Sequence, residues 1–189
     1  TRGVVGGLSE NMDAYPRPGE TWPRLTGTYL QAWSNAEQLR AWYQYFLGIR
    51  PDLISGVLTL APRLPAAVPD LEYTFRVGAG HVEARYQAGP TSTHAYTLRG
   101  LSTKVAVDLR PFPVQQVAVP DGATLRLTQT AQQLRLQVLD ASGKTTAEHT
   151  LTPDAQRLAR QQQDDAVLAG VPFAAPLELG RHPVLQRKK

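Results

Sequence analysis

From residue 55 onward the chain consists of short runs in which apolar and polar positions alternate. In one of them Val105, Val107 and Leu109 are every second residue, the period of a strand with one buried face. Gly, Pro and Asp separate the runs. The pattern predicts strands at Val57–Leu60, Leu71–Val77, His81–Tyr86, His94–Leu98, Lys104–Leu109, Val114–Val119, Ala123–Thr128, Gln133–Leu139 and Thr145–Thr150. Such regularly spaced short strands predict a mainly β protein, with an antiparallel β-sandwich domain over residues 51–189.

Three segments between these runs have the composition of tight turns. Pro120-Asp121-Gly122 and Asp140-Ala141-Ser142-Gly143 are predicted to join pairs of strands, and Gly78-Ala79-Gly80 is predicted to close a hairpin. After the strands, residues 153–169 are polar and predict a surface helix or an extension. Beyond Pro172 the repeated prolines predict a tail that lies along the surface.

Before residue 51 the hydrophobic period changes from that of a strand to that of a helix. Thr26 and Thr28 offer hydroxyls that can cap a helix running through Leu47. Gly48 is a natural end for it, and Pro51 forbids its continuation. The apolar stripe, with spacings of three and four, is Tyr29, Trp33, Ala36, Leu39, Tyr43 and Phe46.

Large aromatic residues lie around more than one side of this predicted helix. They are Trp33, Trp42, Tyr43, Tyr45 and Phe46. Aromatic residues at helical spacing are usually core residues, so we expect them to be buried against partners on several faces. Either those partners are segments of a larger helical domain, or the β region covers the helix. The change of period places the domain boundary between residues 1–50 and residues 51–189.

Composition and charge exclude several functional classes. The net charge is +4, but Arg187, Lys188 and Lys189 supply three of these charges, so the rest of the chain lacks the basic footprint of a nucleic-acid-binding protein. No apolar run approaches the roughly 18 residues of a membrane span. Cysteine is absent and the four histidines are scattered, which argues against a disulfide framework and a metal site. We expect a cytoplasmic protein without a cofactor. The start at Thr1, without an initiator Met, suggests a piece of a longer polypeptide.

One loop near the start combines a carboxylate with surroundings that suit catalysis. Gly6 and Gly7 precede Glu10 and allow the backbone to approach a ligand closely. Tyr15 and Trp22 follow and could provide an apolar wall, because sugar rings have apolar C–H faces. On residue types alone, a solvated loop carboxylate is the more common reading of Glu10.

A resemblance to a known family instead favours a catalytic role for Glu10. Three segments of the chain resemble the end of the amylo-α-1,6-glucosidase domain of glycogen debranching enzymes. They are Gly7-Leu8-Ser9-Glu10-Asn11, Gln31-Ala32-Trp33-Ser34 and Phe46-Leu47-Gly48-Ile49-Arg50-Pro51-Asp52-Leu53. The match is strongest over residues 3–65. It implies that the chain holds the end of an (α/α)₆ catalytic barrel, with Glu10 as the general base of an inverting hydrolysis. It further implies an α-glucan or glycogen substrate bound by Asn11, Tyr15, Trp22 and Gln31. The acid partner would lie upstream in the N-terminal remainder of the enzyme, so we expect the chain to be inactive alone.

The competing hypothesis is a non-catalytic carbohydrate-binding or structural β-sandwich module. A binding module should display aromatic residues on an exposed sheet face. A fragment of the enzyme should instead bury Trp33, Tyr43 and Phe46. The β region contains few aromatic residues, namely Tyr73, Phe75, Tyr86, Tyr96 and Phe112, which favours a structural role for it.

Overall fold

The computed structural model describes residues 11–27, 31–64 and 68–170. Its strands are β1 (Asn11–Met12), β2 (Leu25–Thr26), β3 (Ile49–Asp52), β4 (Val57–Leu60), β5 (Asp70–Val77), β6 (Gly80–Gln87), β7 (Ser92–Arg99), β8 (Thr103–Val107), β9 (Gln115–Val119), β10 (Thr124–Gln129), β11 (Leu134–Leu139) and β12 (Thr145–Leu151). The helices are α1 (Ala32–Arg40) and α2 (Ala155–Gly170), and α1 continues into a wider π-helical segment, Ala41–Phe46. The chain divides into two compact units: Trp42–Asp164, and the residues before and after that range.

Two sheets form the larger unit. One has six strands in the order β12-β11-β10-β7-β6-β5, every neighbouring pair antiparallel. The other has four strands in the order β3-β4-β8-β9. Within it β4 and β8 run parallel, since the chain leaves after β4, builds β5, β6 and β7 in the six-stranded sheet, and then returns.

A single hydrophobic core joins the inner faces of the two sheets. Leu58, Leu60 and Val105 reach it from the four-stranded sheet, and Leu98 and Leu125 reach it from the six-stranded sheet. Along β6 and β7 buried positions alternate with more exposed ones, as a half-buried strand requires. Burying each such leucine contributes about 1.5–3 kcal/mol. The mainly β, sandwich-like fold predicted from the sequence is therefore confirmed.

The strand predictions succeed for all nine runs, each of which overlaps one of the strands β4 to β12. The turns at Gly78-Ala79-Gly80 and Asp140–Gly143 do close hairpins. In the second turn the Asp140 carboxylate accepts hydrogen bonds from Ser142 and from the Lys144 amide. Pro120-Asp121-Gly122 does not join a pair: β9 and β10 lie in different sheets, so this turn carries the chain across the sandwich.

The predicted helix exists, but it begins later than its capping signals indicated. Thr26 lies in β2, and Thr28 and Tyr29 fall outside the described residues. The position before α1 is Gln31, whose side chain makes no capping hydrogen bond. The end was predicted correctly at Gly48, which has a φ of +69°. Pro51 lies in the edge strand β3, where a missing amide hydrogen is tolerated.

The aromatic side chains of this helical stretch are exposed, contrary to the expectation of burial. Trp33 is 66% exposed, and Trp42, Tyr43 and Tyr45 are also exposed. Phe46 is half-buried and packs against Trp42 in a T-shaped arrangement, with the ring centroids 4.6 Å apart. The prediction that Trp33 and Tyr43 are buried is therefore wrong as far as the described residues go, because none of these covers the two rings.

Helix α2 confirms the surface helix predicted for residues 153–169. Asp154 caps it, accepting a hydrogen bond from the Arg157 amide, while the Asp154 amide donates to the carbonyl of Pro111. The Arg157 guanidinium contacts the carboxylate of Asp108, which follows β8. The predicted tail after Pro172 lies outside the described residues.

His94 is a polar side chain buried on the inner face of β7. Its ring centroid lies 4.7 Å from that of Tyr86, and its Nδ1 lies 3.4 Å from the Tyr96 hydroxyl. Burial lowers the pKa of His94 from 6.5 to about 4, because the core offers little solvation to an imidazolium.

We expect His94 to make stability depend on pH below neutrality. The unfolded chain takes up a proton near pKa 6.5, whereas the folded protein keeps His94 neutral down to about 4. The unfolded state therefore binds more protons in this window and is favoured as the pH falls. The loss should total about 3 kcal/mol, at about 1.4 kcal/mol per pH unit. Urea unfolding across this range should show a steeper loss for the wild type than for His94→Gln, and parallel profiles would contradict the assignment.

Candidate functional site

The segment that follows the predicted catalytic residue forms a closed loop. Strands β1 and β2 pair antiparallel, with Asn11 opposite Thr26 and Met12 opposite Leu25. The Asp13 amide donates a 2.8 Å hydrogen bond to the carbonyl of Arg24. Residues 13–24 are thereby held as one loop on a two-stranded base. Glu10 directly precedes β1 in the sequence and lies outside the described residues, so its catalytic role stays a prediction.

Ion pairs within the loop reinforce this closure. The Arg17 guanidinium donates to the Asp13 carboxylate at 2.8 Å, and Arg24 pairs with Glu20. The hydrogen bond and charge of Glu20 raise the pKa of Arg24. Between the pairs Gly19 adopts a φ of +81°, which glycine tolerates without strain. Ion pairs near the surface each contribute at most about 1 kcal/mol to stability. Their main effect here is therefore to favour one conformation of the loop.

The Asp13 carboxylate takes part in an ion pair within the loop. Its side chain is engaged by Arg17, on the same loop. Asp13 also lies only three residues from Glu10 in the sequence, whereas the acid partner of an inverting hydrolase must stand across the substrate from the base.

Two aromatic rings of the loop are open to solvent. Tyr15 is 40% exposed and Trp22 is 61% exposed. Exposed rings on a closed loop can stack on the apolar face of a sugar, the role that the sequence predicted for them. The predicted substrate-binding residue Asn11 pairs through its backbone in β1.

Gln31, the fourth predicted substrate-binding residue, is 3% exposed. Its Oε1 accepts a 2.9 Å hydrogen bond from the Ser34 hydroxyl. Its Nε2 is buried without an acceptor, which costs about 1–3 kcal/mol for an amide donor. The Gln31 amide thus retains an unused donor at the start of α1.

The aromatic residues of the β region point inward. Phe75, Tyr86, Tyr96 and Phe112 are buried, and Tyr73 packs against the core. The Tyr96 pKa is raised well above its ordinary value by burial, which keeps this phenol neutral. The sheets therefore lack the exposed ring platform that the carbohydrate-binding hypothesis requires of them.

A cluster of arginines is the feature that the sequence did not reveal. Arg157 contacts Asp108, and Arg50 lies 4.0 Å from it. Arg63 lies within the electrostatic field of Asp108 and of Arg50, Arg110 and Arg157, so the four arginines form one cluster of the larger unit. They come from positions far apart in the chain, with no motif or charge run to signal their proximity.

Other chemistries find little support in the geometry. Among the described residues no three His, Asp or Glu side chains come together as a metal site would require. His81 lies 3.8 Å from Glu83 at the surface, His149 is exposed, and His182 falls outside the described residues. Neither helix of the described ranges has the length and apolar character needed to cross a bilayer.

The chain matches no protein-family model, no curated protein and no solved structure.

Proposed function

We propose that this chain is the C-terminal part of a cytoplasmic glycoside hydrolase of the glycogen-debranching type, which cleaves α-1,6 branch-point bonds in glycogen-like α-glucans. The observation that carries the proposal is the closed loop of residues 13–24. It starts immediately after the Gly-rich segment with Glu10 and presents Tyr15 and Trp22 to solvent. This arrangement suits a carboxylate that works on a sugar held against aromatic rings.

In the proposed mechanism Glu10 is the ionised general base. It removes a proton from a water molecule, whose oxygen attacks the anomeric carbon from the face opposite the leaving group. The C–O bond to the branch-point oxygen breaks, and an acid upstream of this chain protonates that oxygen. The two carboxyl groups need a separation of about 6.5–9.5 Å to accommodate the water, and the product has inverted configuration. The acid requires a raised pKa to hold its proton.

The exposed helical aromatics support the existence of a further partner. Leu39 and Trp33 on α1 are exposed, as are Trp42 and Tyr45 on the π-helical segment. Large apolar side chains in water forgo the stabilisation that burial would give them, so such a stretch is typical of a helix that packs on other helices. In the proposal those helices belong to the catalytic barrel in the N-terminal remainder of the enzyme.

The first test of the proposal is glucose release from an α-1,6-branched maltooligosaccharide. The 189-residue chain is compared with a protein extended upstream through the helical domain. We expect glucose release only from the extended protein, because the acid partner is upstream. A linear α-1,4 maltooligosaccharide serves as the substrate control and should release little glucose. An extended protein that is folded but inert on the branched substrate would overturn the proposal and favour the structural-module alternative.

A further inference from the structure

The four arginines around Asp108 come from four separate places in the larger unit. Arg50 lies in β3, Arg63 follows β4, Arg110 follows β8, and Arg157 lies on α2. Arg157 contacts the Asp108 carboxylate, and the Arg50 Nη2 lies 4.0 Å from its other oxygen. The topology thus concentrates cations that the sequence keeps far apart.

The carboxylates in contact with this arginine cluster do not balance its charge. Asp108 faces Arg157 and Arg50, and Asp164 pairs with Arg110 at 2.9 Å. The nearby Asp154 carboxylate is used at the N-terminus of α2, where it accepts from a backbone amide. Four guanidinium groups face two contacting carboxylates, so positive charge is in excess at this cluster among the described residues, and Asp154 lowers that excess without making an ion pair to it.

Arg63 is the member of the cluster that makes no ion pair among the described residues. Its backbone amide donates to the carbonyl of Phe46 at 3.0 Å, which fixes its position. Partial desolvation lowers the pKa of its guanidinium, although the residue as a whole is exposed. Asp108 opposes this shift, whereas Arg110, Arg157 and Arg50 add to it. An arginine this basic stays charged at neutral pH, so Arg63 is a cation within the repulsive field of three others.

The cluster also has unused hydrogen-bonding capacity. The Nε of Arg157 is buried and has no acceptor, although its Nη2 contacts Asp108. The side chains of Arg50 and Arg110 are 50% and 38% exposed, so a small solute can reach them. A group that satisfies this cluster must be an anion with several acceptor oxygens.

We propose that the arginine cluster is a binding site for a phosphate group, held chiefly by Arg63 and Arg110. Guanidinium forks match the oxygens of phosphate in bidentate geometry, and the negative charge of phosphate offsets the excess of positive charge. The phosphate is either free inorganic phosphate or the monoester of a sugar. The site is independent of the proposed hydrolase activity, because it rests on residues of the β-rich unit alone.

Calorimetric titration of the 189-residue chain tests this site with inorganic phosphate and with glucose 6-phosphate. Ionic strength is held constant with sodium chloride. We expect saturable binding that weakens about tenfold or more in Arg63→Gln and in Arg110→Gln, since each substitution removes a charge-assisted contact. Tighter binding of the sugar phosphate than of inorganic phosphate would identify the monoester as the source, and tighter binding of inorganic phosphate would identify the free ion.

The matched control is Arg85→Gln, which removes a guanidinium that pairs with Glu72 on the six-stranded sheet. It should bind phosphate as the wild type does. Thermal unfolding without ligand establishes that each variant is folded, and two cluster variants are made so that one remains informative. Absence of saturable binding, or equal loss in Arg85→Gln, would overturn the proposal.

Discussion

Replacing Glu10 by Gln in the extended enzyme should lower kcat on the branched substrate by about 10²–10⁴-fold. An amide has nearly the same size and hydrogen-bonding reach as the carboxylate, so substrate binding and KM should change little. It cannot take a proton from water, so the attacking nucleophile is no longer activated. Initial rates of glucose release over a range of substrate concentrations separate the two parameters.

The matched control is Glu37→Gln on α1. Glu37 is exposed and pairs with Arg40 at 3.3 Å on the same helix, so its carboxylate serves a local ion pair. We expect it to retain the kcat of the parent enzyme. Full activity in Glu10→Gln, or an equal loss in both variants, would remove Glu10 from the role of base. A loss confined to KM would instead assign Glu10 to substrate binding.

Gly48→Ala should destabilise the 189-residue chain by about 3 kcal/mol or more. Gly48 has a φ of +69°, which strains any residue with a β-carbon. A β-carbon here would also lie 2.0 Å from the carbonyl carbon of Ala61, far inside contact distance. The Gly48 carbonyl accepts a 2.8 Å hydrogen bond from the Ala61 amide, so the two backbones cannot separate without losing it. Urea unfolding monitored by circular dichroism measures the effect.

Gly56→Ala is the control for the clash in Gly48→Ala. Gly56 has a similar φ of +65°, but a β-carbon there would meet nothing within 4 Å. Its cost should be limited to the conformational strain, about 1 kcal/mol. Equal destabilisation by the two substitutions would show that the close approach to Ala61 contributes nothing.

The strands of the β region were predictable because local signals and burial agree there. Alternation along β8, β10 and β11 gives each strand one apolar face, and the tertiary structure buries that face in the core. Strand β3 was missed because it is short and contains Pro51, which argues against a strand anywhere but at an edge. The sequence could not predict which strands share a sheet. Pro120-Asp121-Gly122 has the same turn-forming residues whether it joins two paired strands or connects strands of different sheets.

In the helical stretch, by contrast, the spacing of the apolar residues predicted a helix correctly but led to a wrong expectation that its aromatic side chains are buried. The spacing of Trp33, Leu39 and Tyr43 does place them on a helix. The pattern shows which face would pack, but it does not show whether a partner is present in the same chain. For the candidate site, the sequence predicted Tyr15 and Trp22 as sugar-stacking residues; the structure shows both exposed, and their role stays a prediction. The sequence could not show the closed loop, because a ladder as short as β1 and β2 leaves no periodic signal.

The proline in the edge strand β3 has a consequence for how copies of this protein behave together. An open sheet edge is a template on which a strand from another molecule can add, the first step towards aggregates and fibrils. At Pro51 the edge of the four-stranded sheet lacks a donor. At β5, the edge of the other sheet, Asp70, Glu72 and Arg76 are exposed and oppose a close, dry contact. Two of the four edge strands of these sheets, β3 and β5, therefore discourage strand-by-strand growth, which leaves β9 and β12 as the edges open to such pairing when many copies are made at once.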